Sequence, residues 1–103
     1  MFIDSFIGFL RVEKNYSQHT LRAYANDLRS FQSYIVGVDE SLSLLEADTD
    51  LMRAWMAGLV DDGAAPTSVS RKMSALRAFY DYLRSEGHIA HNPAIFLKSP
   101  KAR

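Results

Sequence analysis

The 103-residue sequence contains no cysteine, no long apolar run and no net charge at pH 7. Without cysteine the chain cannot form disulfides, thiolate metal sites or a cysteine nucleophile, and a reducing cytoplasm is the expected setting. The opening residues MFIDSFIGFL lack the basic region and small-residue cleavage site of a secretory signal. No apolar run reaches the roughly 18 residues that a membrane-spanning helix needs. We therefore expect a protein that is neither exported nor embedded in a membrane.

The apolar residues are numerous enough for one folded domain, since 48% of the chain is hydrophobic and 12% is aromatic. They recur at three- to four-residue spacing, and no stretch alternates with the period of two that indicates a strand. Helices are predicted from Ile3 to about Lys14, from a Ser17 cap to Gly37, from an Asp48 or Thr49 cap to Gly63, and from Pro66 or Thr67 to Gly87. A short helix is predicted from Pro93 to Leu97. The fold class is therefore all-α, a compact bundle of four main helices plus a short C-terminal helix.

Charge is distributed unevenly along the chain although the total is zero. Between residues 37 and 63, seven acidic residues accompany a single basic one, Arg53. The predicted fourth helix carries four bases, Arg71, Lys72, Arg77 and Arg84. The local field on one face determines what a protein attracts, so a net charge of zero does not exclude a polyanionic partner.

The predicted second and fourth helices share a pattern on the side opposite their apolar stripe. On the fourth helix, Ser70, Ser74 and Ala78 lie between Arg71 and Arg77. The second helix also places short polar residues between arginines on its outer side. Small side chains allow close approach to another surface, and flanking bases reach phosphates, so the pattern suits a DNA groove. An ordinary solvated face would carry the same residue types, and the pattern alone leaves that alternative open.

Two long segments resemble a known family. They are YSQHTLRAYANDLRSFQSYI and, after an acidic spacer, TSVSRKMSALRAFYDYLRSEGHIAHNPAIFLKSPK. Together they resemble the N-terminal core-binding, SAM-like domain of tyrosine recombinases of the phage integrase and Xer type, and the resemblance covers residues 2 to 101. It implies a DNA-binding domain over residues 1–97 and the start of a linker to an absent catalytic domain at 98–103. In that family the two domains clamp duplex DNA, and two helices of the N-terminal domain face the major groove of the recombination half-site.

The resemblance implies that the second and fourth helices supply the DNA contacts. The candidates are Thr20, Arg22, Asn26, Ser70, Arg71, Lys72, Ser74 and Arg77. The arginines and the lysine would mainly contact phosphates, whereas Asn26 and Arg77 are candidates for reading base edges. The implied partner is double-stranded DNA, with no cofactor and no membrane. Protomers are expected to meet in a recombination synapse, while the isolated domain is expected to be monomeric. The expected location is the cytoplasm, for a protein that is bacterial or phage-encoded.

The resemblance also bears on catalysis. The family cuts DNA with a tyrosine, assisted by arginines, a lysine and histidines of the C-terminal domain, and nothing of that domain follows Arg103. We therefore expect this chain not to be an enzyme, and its parent to be a tyrosine site-specific recombinase. For the same reason no catalytic residue is predicted in this chain. No metal site is predicted either, because His88 and His91 lack further ligands at suitable spacing. The rival hypothesis is a helical module that binds another protein through its phenylalanine-rich first helix and does not touch DNA.

Overall fold

Apolar residues at helical spacing form four α-helices in the computed structural model, which describes residues 1–98. The helices are α1 (Phe2–Glu13), α2 (Gln18–Val38), α3 (Thr49–Asp61) and α4 (Pro66–Ser85), with a 3₁₀ turn at Leu44–Glu46. No strand occurs in the described part of the chain, and the Cα radius of gyration of 13.2 Å is that of a compact domain. The predicted all-α fold with four main helices is confirmed. Within residues 1–98, no helix is both long and apolar enough to cross a bilayer.

Helix boundaries follow from local side-chain chemistry. Ser17 caps α2 by accepting a hydrogen bond from the Thr20 N–H at 3.2 Å, and Asp48 caps α3 by accepting one from the Leu51 N–H at 2.8 Å. After α4, Gly87 has a φ of +82°, a left-handed conformation that glycine adopts without strain. The predicted starts of α2 and α3 are therefore confirmed at the level of single hydrogen bonds.

The C-terminal segment differs from the prediction of a short helix beginning at Pro93. It forms consecutive turns, in which the Ile95 N–H donates to the Asn92 carbonyl at 3.3 Å and the Leu97 N–H donates to the Ala94 carbonyl at 3.2 Å. Ala94 and Leu97 are buried, so packing against the helices contributes to this conformation. The predicted linker, residues 98–103, lies outside the described residues apart from its first residue.

The core lies where the four helices meet. Its largest fully buried side chains include Phe6 of α1, Phe31 of α2, and Phe79 and Tyr80 of α4. The rings of Phe6 and Phe79 pack edge to face with centroids 5.4 Å apart, and Phe31 packs against Trp55 of α3 at 5.1 Å. These contacts join α1 to α4 and α2 to α3. Helix α2 also packs directly against α1 and α4, which fixes the two candidate DNA-facing helices relative to each other.

The phenylalanines of α1 are used within the domain. Phe6 is fully buried, and Phe2 and Phe9 are half-buried. Phe9 packs on the ring of Tyr82 at 5.1 Å, and Phe2 packs on the ring of His88 at 4.9 Å. The face that the rival hypothesis assigns to a protein partner is thus largely engaged in packing with α4 and the turn after it.

Candidate nucleic-acid interface

The outer face of α2 carries the exposed candidates Arg22 and Asn26. Neither side chain makes an ion pair or hydrogen bond with residues 1–98. Thr20 is different, because it is half-buried and its Oγ1 accepts a hydrogen bond from the Ser17 hydroxyl at 3.0 Å. Arg29, further along the same helix, donates to Asp4 of α1 at 3.1 Å. Arg22 and Asn26 are therefore the α2 candidates whose polar groups face solvent.

The outer face of α4 is built from small side chains. Ser74 is exposed, and Ser70 and Ala78 are half-buried. Ser74 and Ala78 line an open groove together with residues of α2, of the loop before it and of the C-terminal segment. The groove is lined by Tyr16, Tyr24, Ser74, Arg77, Ala78, Asp81, Asn92 and Ile95. Short side chains on the helix leave this groove open, so another surface can approach the backbone of α4.

A buried carboxylate joins α2 to α4. Asp27 of α2 is only 2% exposed, and it accepts three hydrogen bonds from two bases of α4. Arg71 binds it in a bidentate manner, with Nε donating to Oδ2 at 2.9 Å and Nη2 donating to Oδ1 at 2.8 Å. Lys72 donates from Nζ to Oδ1 at 2.9 Å. Two of the predicted DNA contacts are therefore engaged in an ion-pair cluster within the domain.

The cluster of Asp27, Arg71 and Lys72 keeps a positive charge at the surface. Two bases share one carboxylate, so the cluster carries a net charge of +1. The Arg71 side chain is 43% exposed, whereas that of Lys72 is 17% exposed. Hydrogen bonding to Asp27 raises the pKa of Arg71 above its usual value. Arg71 thus remains charged and partly exposed, while Lys72 reaches water only along a small part of its side chain.

Tyr24 adjoins this cluster and lines the groove on α4. Burial raises the pKa of its phenol, and the nearby Tyr16 and Asp27 raise it further. The rings of Tyr16 and Tyr24 lie edge to face with centroids 6.1 Å apart. The Tyr24 phenol therefore stays neutral near pH 7 and presents its hydroxyl group, without added negative charge, to whatever occupies the groove.

Arg77 lies at the boundary between α4 and the C-terminal segment. Its side chain is half-buried, and its Nη2 donates to the Leu97 carbonyl. The Arg77 carbonyl accepts a hydrogen bond from Asn92 Nδ2 at 3.1 Å. On the other side of the segment, the Thr49 hydroxyl donates to the Pro93 carbonyl at 2.6 Å. Arg77 thus fixes the C-terminal segment on α4, in addition to lining the groove.

Asp27 is the residue of this site that sequence reasoning missed. It lies three residues after Tyr24 and four before Phe31, at positions where helical spacing predicts a side chain facing the core. A charged residue in an apolar stripe is the signal that a partner is needed, because an unpaired buried charge is costly. The bases that satisfy it are 44 and 45 residues away in sequence, so the sequence alone does not identify them.

The histidines near the C-terminal end do not form part of a metal cluster. Within residues 1–98, no group of three histidine, aspartate or glutamate side chains is arranged to hold a metal ion. His88 instead packs against the ring of Phe2. The polar surface of α2 and α4 is therefore the main candidate site of the described chain.

The fold and this surface define a small, all-helical domain with a partly basic face across two adjacent helices. The chain belongs to the family described as phage integrase, N-terminal SAM-like domain, whose model matches residues 3–87. It is 40% identical to the tyrosine recombinase XerD of Listeria innocua over 96% of this chain and 33% of that protein. It is 35% identical to the tyrosine recombinase XerC of Oceanobacillus iheyensis, over 98% of this chain and 33% of that protein.

A third relative, the tyrosine recombinase XerC of Xylella fastidiosa, is 39% identical over 97% of this chain and 34% of that protein. No solved structure matches the chain significantly. The chain thus spans about a third of the length of the curated relatives that it matches. The family assignment made from the two sequence segments is confirmed.

Proposed function

We propose that this chain is the domain of a tyrosine recombinase that contacts duplex DNA at the recombination half-site, with the outer faces of α2 and α4 toward the major groove. The observation that carries the proposal is the contact between Asp27 and Arg71, with oxygen-to-nitrogen distances of 2.8 and 2.9 Å. Because this contact joins the two helices, their small polar side chains and bases form one continuous surface. The relatives named as tyrosine recombinases supply the biological context.

Each candidate has a distinct proposed role. Arg22 and the exposed part of Arg71 contact phosphates, which position the domain and give salt-dependent affinity. Asn26 is exposed, and its amide is suited to an adenine edge in the major groove. Ser70 and Ser74 have short side chains that project little from α4, so that the backbone of the helix can approach the DNA.

The remaining candidates act from the margins of this surface. Lys72 contributes its charge through the cluster with Asp27, and Thr20 contributes a hydroxyl at the start of α2. Arg77 borders the groove on α4, where the guanidinium protons not used by Leu97 are available to a phosphate or a guanine edge. All eight candidates therefore belong to the proposed interface, with Arg22, Asn26, Arg71 and Ser74 at its centre.

For the parent protein we propose site-specific DNA recombination in a bacterial cytoplasm, with protomers that meet in a synapse. On its own the domain is expected to be monomeric and to bind DNA modestly, because half of a clamp lacks the effective concentration that a tethered second half supplies. The rival hypothesis of a protein-interaction module is less favoured, because Phe6 is fully buried and Phe2 and Phe9 pack on aromatic neighbours.

The experiment is a fluorescence-anisotropy titration of the chain against a short labelled duplex between about 50 and 200 mM salt. Arg22→Ala is compared with Arg11→Ala, since both arginines are exposed and neither forms an ion pair within residues 1–98. We expect Arg22→Ala to weaken binding and to reduce the slope of log affinity against log salt by about one. Arg11, on α1, is expected to have little effect.

Two results would count against the proposal. Equal losses in the two variants would mean that DNA binds nonspecifically to any basic part of the surface. A folded sample that does not bind the duplex even at low salt would favour the protein-interaction module.

A further inference from the structure

Asp27 places a carboxylate where the spacing of α2 predicts an apolar side chain. It is 2% exposed, and both of its oxygens accept hydrogen bonds from α4. Replacing a buried ion pair by well-packed apolar residues is often neutral or stabilising. A gain in stability is therefore a weak explanation for a carboxylate at this position. Orienting the basic side chains that it binds is a second role that a carboxylate can have.

The bidentate geometry fixes the orientation of Arg71. A guanidinium group is planar and has five N–H donors. Asp27 uses the Nε–H and one Nη2–H, so three donors remain, including both on Nη1. Nη1 makes no hydrogen bond to any residue in the described range 1–98. Because the group is rigid and the side chain is 43% exposed, these remaining donors are held in a fixed direction where α2 and α4 meet.

We infer that Asp27 is a positioning residue for DNA binding, which acts by holding Arg71 in the orientation in which its free donors meet a phosphate oxygen. This inference rests on the proposed function. A long arginine side chain loses conformational freedom when it binds a phosphate, and this loss weakens binding. Asp27 imposes that loss during folding, before DNA arrives, so the contact forms with a side chain that is already ordered.

The inference opposes what simple electrostatics predicts. Asp27 is the only acidic side chain in the cluster with Arg71 and Lys72, and its charge lowers the positive potential at the surface. If charge alone determined affinity, Asp27→Asn would strengthen DNA binding by adding one unit of positive charge. If Asp27 orients Arg71, the same substitution weakens binding, because an amide presents one acceptor oxygen where the carboxylate presents two.

The test is a double-mutant cycle measured by anisotropy with the labelled duplex, at a temperature where circular dichroism shows each variant to be folded. We expect Asp27→Asn to weaken binding by roughly two- to tenfold, the range that follows from immobilising one long side chain. Arg71→Gln weakens binding and reduces the salt slope by about one. In the Arg71→Gln background, Asp27→Asn is expected to cause no further weakening, because the orienting role of Asp27 acts through Arg71 and only its effect on the surface charge remains. A purely structural role would weaken binding in both backgrounds.

Asp27→Asn leaves two bases with a weaker partner, so a second variant is needed for the case in which it does not fold. Arg71→Lys covers that case, because it preserves the charge and the ion pair with Asp27 but cannot form the bidentate contact. We expect Arg71→Lys to bind DNA at least about twofold more weakly than the unmodified chain at equal net charge, since a lysine is not pre-oriented.

The outcomes separate this inference from the proposed function. A difference in salt-dependent binding between the unmodified chain and Arg71→Gln supports the proposed function. If, in addition, Asp27→Asn or Arg71→Lys binds DNA as well as the unmodified chain or better, the inference about Asp27 is overturned and the proposed function is retained. If the unmodified chain does not bind DNA, the proposed function fails, and the inference fails with it.

Discussion

Substitutions of Arg71 and Arg84 on one helix can measure how much the buried carboxylate contributes to the free energy of unfolding. Both arginines lie on α4, both pair with an aspartate at 2.8 Å, and their side chains are 43% and 48% exposed. The aspartates differ, because Asp27 is 2% exposed and Asp81 is 61% exposed. Alanine and arginine have similar helix propensities. The substitutions Arg71→Ala and Arg84→Ala therefore differ mainly in the environment of the charge that each leaves behind.

Removing one partner of a fully buried ion pair costs about 3–5 kcal/mol. The cost is smaller here, because Arg71 is partly exposed and Lys72 remains bound to Asp27, so we expect Arg71→Ala to lower the free energy of unfolding by about 2 kcal/mol. The exposed pair of Arg84 and Asp81 contributes about 0.5 kcal/mol or less. For a domain of this size the larger loss corresponds to a decrease in Tm of roughly 8–16 °C.

The assay is urea unfolding of the two variants and the unmodified chain, followed by far-ultraviolet circular dichroism. Equal losses of stability in Arg71→Ala and Arg84→Ala would refute the reasoning, because they would show that the burial of Asp27 carries no energetic weight. The result also affects DNA binding, since a loss of binding in an Arg71 variant is interpretable only at a temperature where that variant is folded.

Two further predictions concern the core and the C-terminal segment. Tyr80 donates to the Leu44 carbonyl at 2.6 Å, so Tyr80→Phe should lower the free energy of unfolding by about 1–2 kcal/mol near pH 7. Burial raises the pKa of Tyr80 above 10.0. The contribution of this buried phenol to stability is complete below pH 10 and decreases at higher pH, because the unfolded chain loses the phenol proton first. As the pH is raised further, the free energy of unfolding of Tyr80→Phe should therefore decrease less than that of the unmodified chain. Asn92→Ala removes hydrogen bonds to the Arg77 carbonyl and from the Ala94 N–H, so hydrogen exchange of the Leu97 amide should accelerate, whereas an unchanged rate would show that packing alone holds the segment.

The sequence predicts those features of this fold that depend on neighbours along the chain. The helical period of the apolar residues and the caps at Ser17 and Asp48 are local, and both caps form the expected hydrogen bonds. The single apolar stripe of each helix is local as well, and it accounts for the burial of Phe6 and Phe79 in one core.

The features that the sequence does not predict depend on distant partners. Asp27 and Arg71 are 44 residues apart, and Arg77 and Leu97 are 20 residues apart. A helical wheel correctly places Arg71 and Arg77 at the margins of the outer face of α4, but it does not show that each already binds an acceptor. The short C-terminal helix is likewise a prediction from local signals alone. The turns observed there are determined by contacts with α3 and α4, which are distant in sequence.

The central claim, that the outer faces of α2 and α4 contact DNA, is tested most directly by nuclear magnetic resonance. The amide spectrum of the isotope-labelled chain would be recorded at low salt, with and without a short duplex. We predict the largest changes at Arg22 and Asn26 on α2 and at Ser70 and Ser74 on α4, with little change at Arg53 on α3. Changes concentrated on α3 with none on α2 and α4, or an unaltered spectrum in the presence of DNA, would contradict the claim.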